Sequence, residues 1–472
     1  MKRILMLVAA LLTFALHAQE KVGDDLTGTE TNEQWGYSAE LSEEGRLLVI
    51  GGPFKGESQG SFIVYADIFG TWNFQWGING VVGGTSGLSV DLSDDGNVTA
   101  VGSPTTLQGQ VNVFEKTGIQ YEALGSPIQG PAELSNQFGA KVSLSGDGTR
   151  LAVGAPSYNG AGEDRGYVAV FELVDETWQR VGEPIIGTVD FALKGKSLDL
   201  SYDGTILAIG SPFSFDNLNP GTVEVYTLSG DVWQTVGDPI MNGPDMTGSV
   251  LALSSDGNRM IVGRPISDIA SVYELRGNIW TKIGGDIRIS TSRVSGFSAD
   301  ISGDGNRVIV GAFGSNAQSL PGAVQIFDYD GTSWTAATSP VAGEVGEAFG
   351  WHCSLSPDGT AFAVGSPGSE SPGDNQGHVE VYSIDPVSTA VLSHTIEDIF
   401  ISPNPAAREI QISGDDVNSS RSVMIVDNTG KTVMNGFLRN GAMNIESIPA
   451  GMYHVLVPFG EDHRVAKRLM KL

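Results

Sequence analysis

A chain of 472 residues with a formal charge of −28 and a pI near 4.4 repels phosphate backbones and anionic lipid, which argues against nucleic acid and membrane surfaces as partners. Only 17% of the residues are charged whereas 63 are glycine, the composition of a turn-rich rather than a helical protein. A single cysteine, Cys353, rules out any intrachain disulfide.

The first segment reads as a leader. Lys2 and Arg3 precede an apolar run from Ile4 to Leu16, and Ala18 supplies the small residue at a cleavage point. This is the pattern of a secretory signal peptide over residues 1–18. No later run reaches the ~20 apolar residues of a transmembrane helix, so none is expected.

From residue 19 a short turn recurs seven times. It is Leu41-Ser-Glu-Glu-Gly45, Leu92-Ser-Asp-Asp-Gly96, Leu144-Ser-Gly-Asp-Gly148, Leu200-Ser-Tyr-Asp-Gly204, Leu253-Ser-Ser-Asp-Gly257, Ile301-Ser-Gly-Asp-Gly305 and Leu355-Ser-Pro-Asp-Gly359. Successive glycines lie 51, 52, 56, 53, 48 and 54 residues apart. A period near fifty with four strand signals per unit is the mark of propeller blades. The first strand alternates into the turn, and Asp-Gly closes a hairpin because Gly accepts positive φ. The second strand is small and apolar, as in Leu151-Ala-Val-Gly-Ala155. The third runs like Gly166-Tyr-Val-Ala-Val-Phe171, and the fourth opens on an aromatic: Trp72, Tyr121, Trp178, Trp233, Trp280 or Trp334. These aromatics are expected to pack between blades rather than to form a sugar platform.

The seventh unit lacks a fourth strand. Val22-Gly-Asp-Asp-Leu26 matches Val181-Gly-Glu-Pro-Ile185 and Val236-Gly-Asp-Pro-Ile240, so the mature N-terminus is expected to complete blade seven. Pairing the ends in this way removes open sheet edges.

Phe138-Gly139, Leu144-Ser145, Asp147-Gly148 and Leu151-Ala-Val-Gly-Ala-Pro156 resemble bacterial relatives of FG-GAP repeats, the propeller units of integrin α chains, with weaker echoes at Trp35-Gly36, Phe349-Gly350 and Gly210-Ser-Pro212. Ser356-Pro-Asp-Gly359 is also similar to the turn of WD-like periplasmic propellers, whose units are shorter. In the FG-GAP family several blades bind calcium through alternating aspartates. The seven turns here lack that spacing, and a hard cation wants six or more oxygens, so no cofactor is expected.

After residue 384 the turn repeat stops. Residues 385–394 read as a linker and 395–472 as a small second domain of short alternating strands, a β-sandwich. Ser402-Pro-Asn-Pro405, Pro449-Ala-Gly-Met-Tyr453 and a basic final strand ending in Lys471-Leu472 resemble the C-terminal sorting domain of the type IX secretion system of the Bacteroidetes. That resemblance implies passage through the outer membrane by the type IX machinery, acting on residues 395–472, and a secreted or surface-attached product. The fold class is therefore all-β: a seven-bladed propeller over residues 19–384 followed by a β-sandwich.

Chemistry is sparse. Only His352 and His378 of the six histidines fall in the propeller, and no metal-ligand spacing or phosphate loop is present. His352 and Cys353 are neighbours in a strand and face opposite ways, so they form no dyad. The reading is a monomeric binding or adhesion module for an extracellular glycan or protein, with no enzyme activity. The alternative is a secreted hydrolase of glycans using carboxylates that converge near the axis. Ligand residues are expected on the long connections between second and third strands, because loops vary without disturbing a rigid scaffold. These are Tyr158, Glu163, Asp164, Phe215, Asp216, Asn217, Glu370, Asp374 and Asn375.

Overall fold

The computed structural model describes residues 17–384, apart from 119, 133–135, 161, 213–219, 244, 290–293, 315–320 and 369–374. Beyond these it describes 400–402, 407–413, 422–426, 432–437, 442–459 and 463–471. Residues 1–16 of the expected leader and the linker 385–394 lie outside the described residues. The chain divides near residue 388 into two compact units.

The first unit is a seven-bladed β-propeller. Blades one to six are each an antiparallel sheet in chain order, as in blade three, whose strands are Lys141–Leu144, Arg150–Ala155, Tyr167–Val174 and Thr177–Ile186. The first strands of neighbouring blades lie beside one another, so it is the first strand that lines the axis. The small second strand packs behind it, and its smallness has a local cause. A Cβ on Gly154 would stand 2.2 Å from the carbonyl oxygen of Gly195 in the next blade, and one on Gly365 would stand 2.0 Å from that of Gly36.

The repeated turn explains its own composition. In blade three the Ser145 hydroxyl donates to Asp147 at 2.6 Å and accepts the N–H of Arg150 at 2.9 Å. Asp147 accepts the N–H of Thr149 at 3.0 Å, and Gly148 sits at φ +71°. The same Ser–Asp bond recurs in blades two and four to seven. Blade one has Glu44 where the others have Asp, and keeps only the Ser42 bond to the N–H of Leu47.

These turns also join the blades. Glu43 N–H donates to Asp94 O, Asp94 N–H to Gly146 O, Asp147 N–H to Tyr202 O, and so on until Asp358 N–H reaches Glu43 O. Pro357 has no N–H, so Asp358 donates in its place. The result is a closed collar of seven backbone bonds around the axis. Outside it, Arg150, Arg259 and Arg307 each pair with an acid of their own third strand and donate to a turn carbonyl of the following blade.

The fourth-strand tryptophans are inter-blade packing groups, as expected. The indole N–H of Trp178, Trp233, Trp280 and Trp334 donates to Leu124, Val181, Val236 and Ile283 of the preceding blade, at 2.9–3.2 Å.

Blade seven is closed by the N-terminal segment. The closing strand is broken in two, Gln19–Lys21 and Leu26–Thr27, rather than running from Val22 to Leu26. Gln19 pairs with Ile384, Lys21 with Tyr382 and Leu26 with Val379, while the Val22 N–H bonds Val381 O. The Val-Gly motif shared with other blades is a kink: Gly23, Gly182 and Gly237 all lie near φ +73°. Lys21 pins the strand by ion pairs to Glu380 and Asp25.

The second unit holds a three-stranded sheet (Phe400–Ser402, Glu409–Ser413, Ala442–Asn444) and a four-stranded sheet (Thr432–Phe437, Ser422–Val426, Gly451–Phe459, His463–Lys471). Ile410, Ile412, Val423, Ile425, Tyr453, Val455 and Leu469 form its core. No helix among the described residues is long and apolar enough to cross a membrane.

Candidate functional site

Alternation along the first strands sends one set of side chains toward the axis. The residue before the conserved Leu or Ile of each turn is Glu40, Asp91, Ser143, Asp199, Ala252, Asp300 or Ser354. Four carboxylates from four blades therefore converge on a cavity of about 160 Å³, whose lining also includes Asp94 of the blade-two turn, His352 and, as the one cation among the described residues, Lys141.

Each of the four first-strand carboxylates is already engaged. Asp91 accepts the N–H of Leu92 and, in the next blade, that of Leu144, at 2.8 and 2.5 Å. Asp199 does the same for Leu200 and Leu253, and Asp300 for Ile301 and Leu355. Glu40 accepts from Ser354 at 2.8 Å. The first strand has a free edge at the axis, and the three aspartates satisfy N–H groups there that would otherwise be orphaned. The axial acids are blade-to-blade braces, not a free acid–base pair.

Burial pushes Asp91 and Asp300 up to about 7 and raises Glu40 and Asp199 as well, with Lys141 working against the rise. Burial, with Lys141 nearby, lowers His352 to about 3 and keeps its ring neutral. Cys353 packs in the core between blades six and seven, 3.3 Å from the Ser298 hydroxyl, with its thiol pushed up by burial. Among the described residues no group of three or more His, Cys, Asp or Glu is placed to hold a metal ion.

At the end of the axis opposite the Asp-Gly turns, every blade enters its first strand through one tight turn. Its first residue has positive φ in all seven: Gln34, Thr85, Gln137, Leu193, Met246, Val294 and Ala348. That carbonyl accepts an N–H three residues on, from Tyr37, Leu88, Ala140, Lys196, Ser249, Phe297 and Trp351. Positive φ is costly for β-branched Thr85 and Val294, but a strain shared by all blades belongs to the scaffold.

The fourth residue of the turn breaks the seven-fold pattern. It is aromatic in blades six, seven and one, which are consecutive around the ring, and not in the other four. Phe297 lies 5.1 Å from Trp351, and Trp351 lies 5.3 Å from Tyr37, between ring centroids. Phe313 and Phe54, from the ends of the second strands of blades six and one, extend the arc at 4.3 and 6.3 Å. All five rings are half-buried. Residues 297, 351 and 37 are remote in sequence and meet only because the ring closes, so no local motif could have revealed them.

Four of the nine loop residues expected to bind ligand are described, three in blade three and one in blade seven. Tyr158 is half-buried with its ring 5.1 Å from Tyr167. Glu163 and Asp164 sit on a loop held by backbone bonds to Asp190 and Asn159, with Asp164 at φ +46°. The Asn375 side chain donates to Asn32 at 3.2 Å. Phe215, Asp216, Asn217, Glu370 and Asp374 lie outside the described residues.

A seven-bladed propeller with a separate C-terminal β unit is the class that this architecture defines. Residues 400–471 match the family model of the secretion system C-terminal sorting domain. No curated protein matches the sequence. Among solved structures, the β-propeller domain of Cps50 (Swd1) from Myceliophteria thermophila is similar with a TM-score of 0.51 at 10% identity, over 78% of this chain and 100% of that one. A 6-phosphogluconolactonase candidate from Bacteroides uniformis gives 0.50 at 12% identity, over 85% and 99%. At such identities the likeness speaks for the fold alone.

Proposed function

We propose that this protein is an exported propeller of the FG-GAP type that serves outside the cell as a monomeric binding or adhesion module for a glycan or protein. The signal peptide, cut after Ala18, carries it across the inner membrane, and the type IX machinery then recognises the C-terminal sorting domain. The observation that carries the binding role is the half-exposed aromatic arc of Phe297, Trp351 and Tyr37 at one mouth of the axis. Half-exposed rings on a rigid scaffold are how proteins hold flat or cationic ligand groups. In this reading Tyr158, Glu163, Asp164, Phe215, Asp216, Asn217, Glu370, Asp374 and Asn375, on the connections between second and third strands, would form the rim. The hydrolase alternative is the weaker reading, because the axial carboxylates are committed to backbone N–H groups.

Two experiments test this. Purified protein is screened against glycan and matrix-protein arrays, and the Tyr37→Ala/Trp351→Ala variant is expected to lose the binding found while keeping a cooperative melt. Unchanged binding moves recognition off the arc. In the native host, deletion of residues 395–472 is expected to strand the propeller in the periplasm; normal surface display of the shortened chain refutes the sorting role.

A further inference from the structure

The same end of the propeller carries a second, larger concavity, of about 950 Å³, over blades one to three. Val81 and Val82 come from the connection leaving blade one, Leu107 from the loop between the second and third strands of blade two, and Gln129 and Gln137 from the blade-two outer strand and the connection after it. Its apolar groups face water: Val81 is 56% exposed, Val82 67% and Leu107 81%. Leu107 is not loose. Its loop is tied by the Thr105 hydroxyl to Gly83 O at 2.5 Å, by Thr106 to Ser103 O at 3.1 Å, and by a 2.9 Å contact between Thr105 and Thr85. Aliphatic side chains held outward by a bonded loop mark a contact surface rather than a fraying one.

Among the described residues, none that lines this groove is charged, on a chain whose formal charge is −28. A charged occupant would lose hydration there and meet no counter-ion. Its polar side chains are two threonine hydroxyls, tied up in the loop, and four primary amides, which offer the same donor and acceptor as a peptide group. Among the described lining residues there is no aromatic ring for a sugar to stack on. We propose that the groove binds an uncharged, extended polypeptide segment, with aliphatic side chains on Val81, Val82 and Leu107 and main-chain amides on the glutamines. Gln137 also borders an adjoining concavity of about 350 Å³ whose lining includes Asp164 and Lys196, and the uncharged groove ends there.

This rests on the binding-module reading but uses residues separate from the aromatic arc, so the two fail separately. The test is selection of a random-peptide phage library on the full exported chain. Enriched peptides are expected to be aliphatic and uncharged, and to lose about tenfold or more in affinity on Val82→Glu or Leu107→Glu. Both positions are exposed, so folding is spared, and Trp351→Ala should leave peptide affinity unchanged. No enrichment, enrichment of charged peptides, or equal binding by both groove variants overturns the proposal. So does displacement of the peptides by a soluble neutral glucan, which would make the groove a sugar site.

Discussion

Trp178 fills the seam between blades two and three and, through its indole N–H, bonds Leu124 O at 2.9 Å. The two contributions separate by substitution. Trp178→Phe keeps the ring and deletes the bond, with an expected loss of about 1 kcal/mol. Trp178→Ala also removes the half-buried ring and should cost about 2 kcal/mol, measured by denaturant unfolding. Near-equal losses for the two would mean that the bond, not the packing, holds the seam. The packing role of these tryptophans could be read from the repeat because each stands at the same place in its unit. The axial braces and the aromatic arc could not, because they arise between residues of different blades at positions that vary from blade to blade.

The closing strand is the element on which the ring depends. A chain that begins at Gly36 loses the pairs of Gln19, Lys21, Leu26 and Thr27 and leaves the third strand of blade seven as an open edge. Its expected behaviour is a melting temperature lower by several degrees, with concentration-dependent association by light scattering. Equal melting and no association would mean that closure contributes little. The matching of Val22–Leu26 to other outer strands identified the closure, but it placed the strand on what is the kink. The shared Val-Gly pair is conspicuous because the backbone turns there, whereas the flanking residues pair through main-chain groups and leave little trace in the side chains.

Across the whole molecule, pH acts on two sets of carboxylates with opposite signs. The turn acids Asp203, Asp256 and Asp304 are opposed by burial, but their hydrogen bonds prevail and lower them. Their stabilisation is present above the ordinary carboxylate range, ~4, and fades as pH falls below it. Asp91 and Asp300, held near 7, bind protons in the native state that the unfolded chain does not, so stability rises as pH drops from about 8 toward about 5. The melting temperature is therefore expected to peak between about pH 4 and 6. Lys141→Met, which removes the one cation on the axial cavity, should destabilise by on the order of 1–2 kcal/mol at pH 8 and much less at pH 5. A melting temperature that is flat from pH 5 to 8, for either protein, would show that the axial acids ionise freely.

The clasp of blade seven joins segments 363 residues apart, as in the contact of Ser383 with Glu20. A linear chain can complete six blades from neighbouring residues alone, each hairpin in its turn. The seventh must wait until residue 384 is available, and all the while its missing strand, already made, stays unpaired at the far end of the chain. In a polypeptide that leaves its translocation pore N-terminus first, the earliest segment to emerge is thus among the last to find its place. Any factor that occupies that segment, whether a holding chaperone or an uncut leader, would keep the propeller an open arc. The closure of the whole ring would then be decided at its first ten residues.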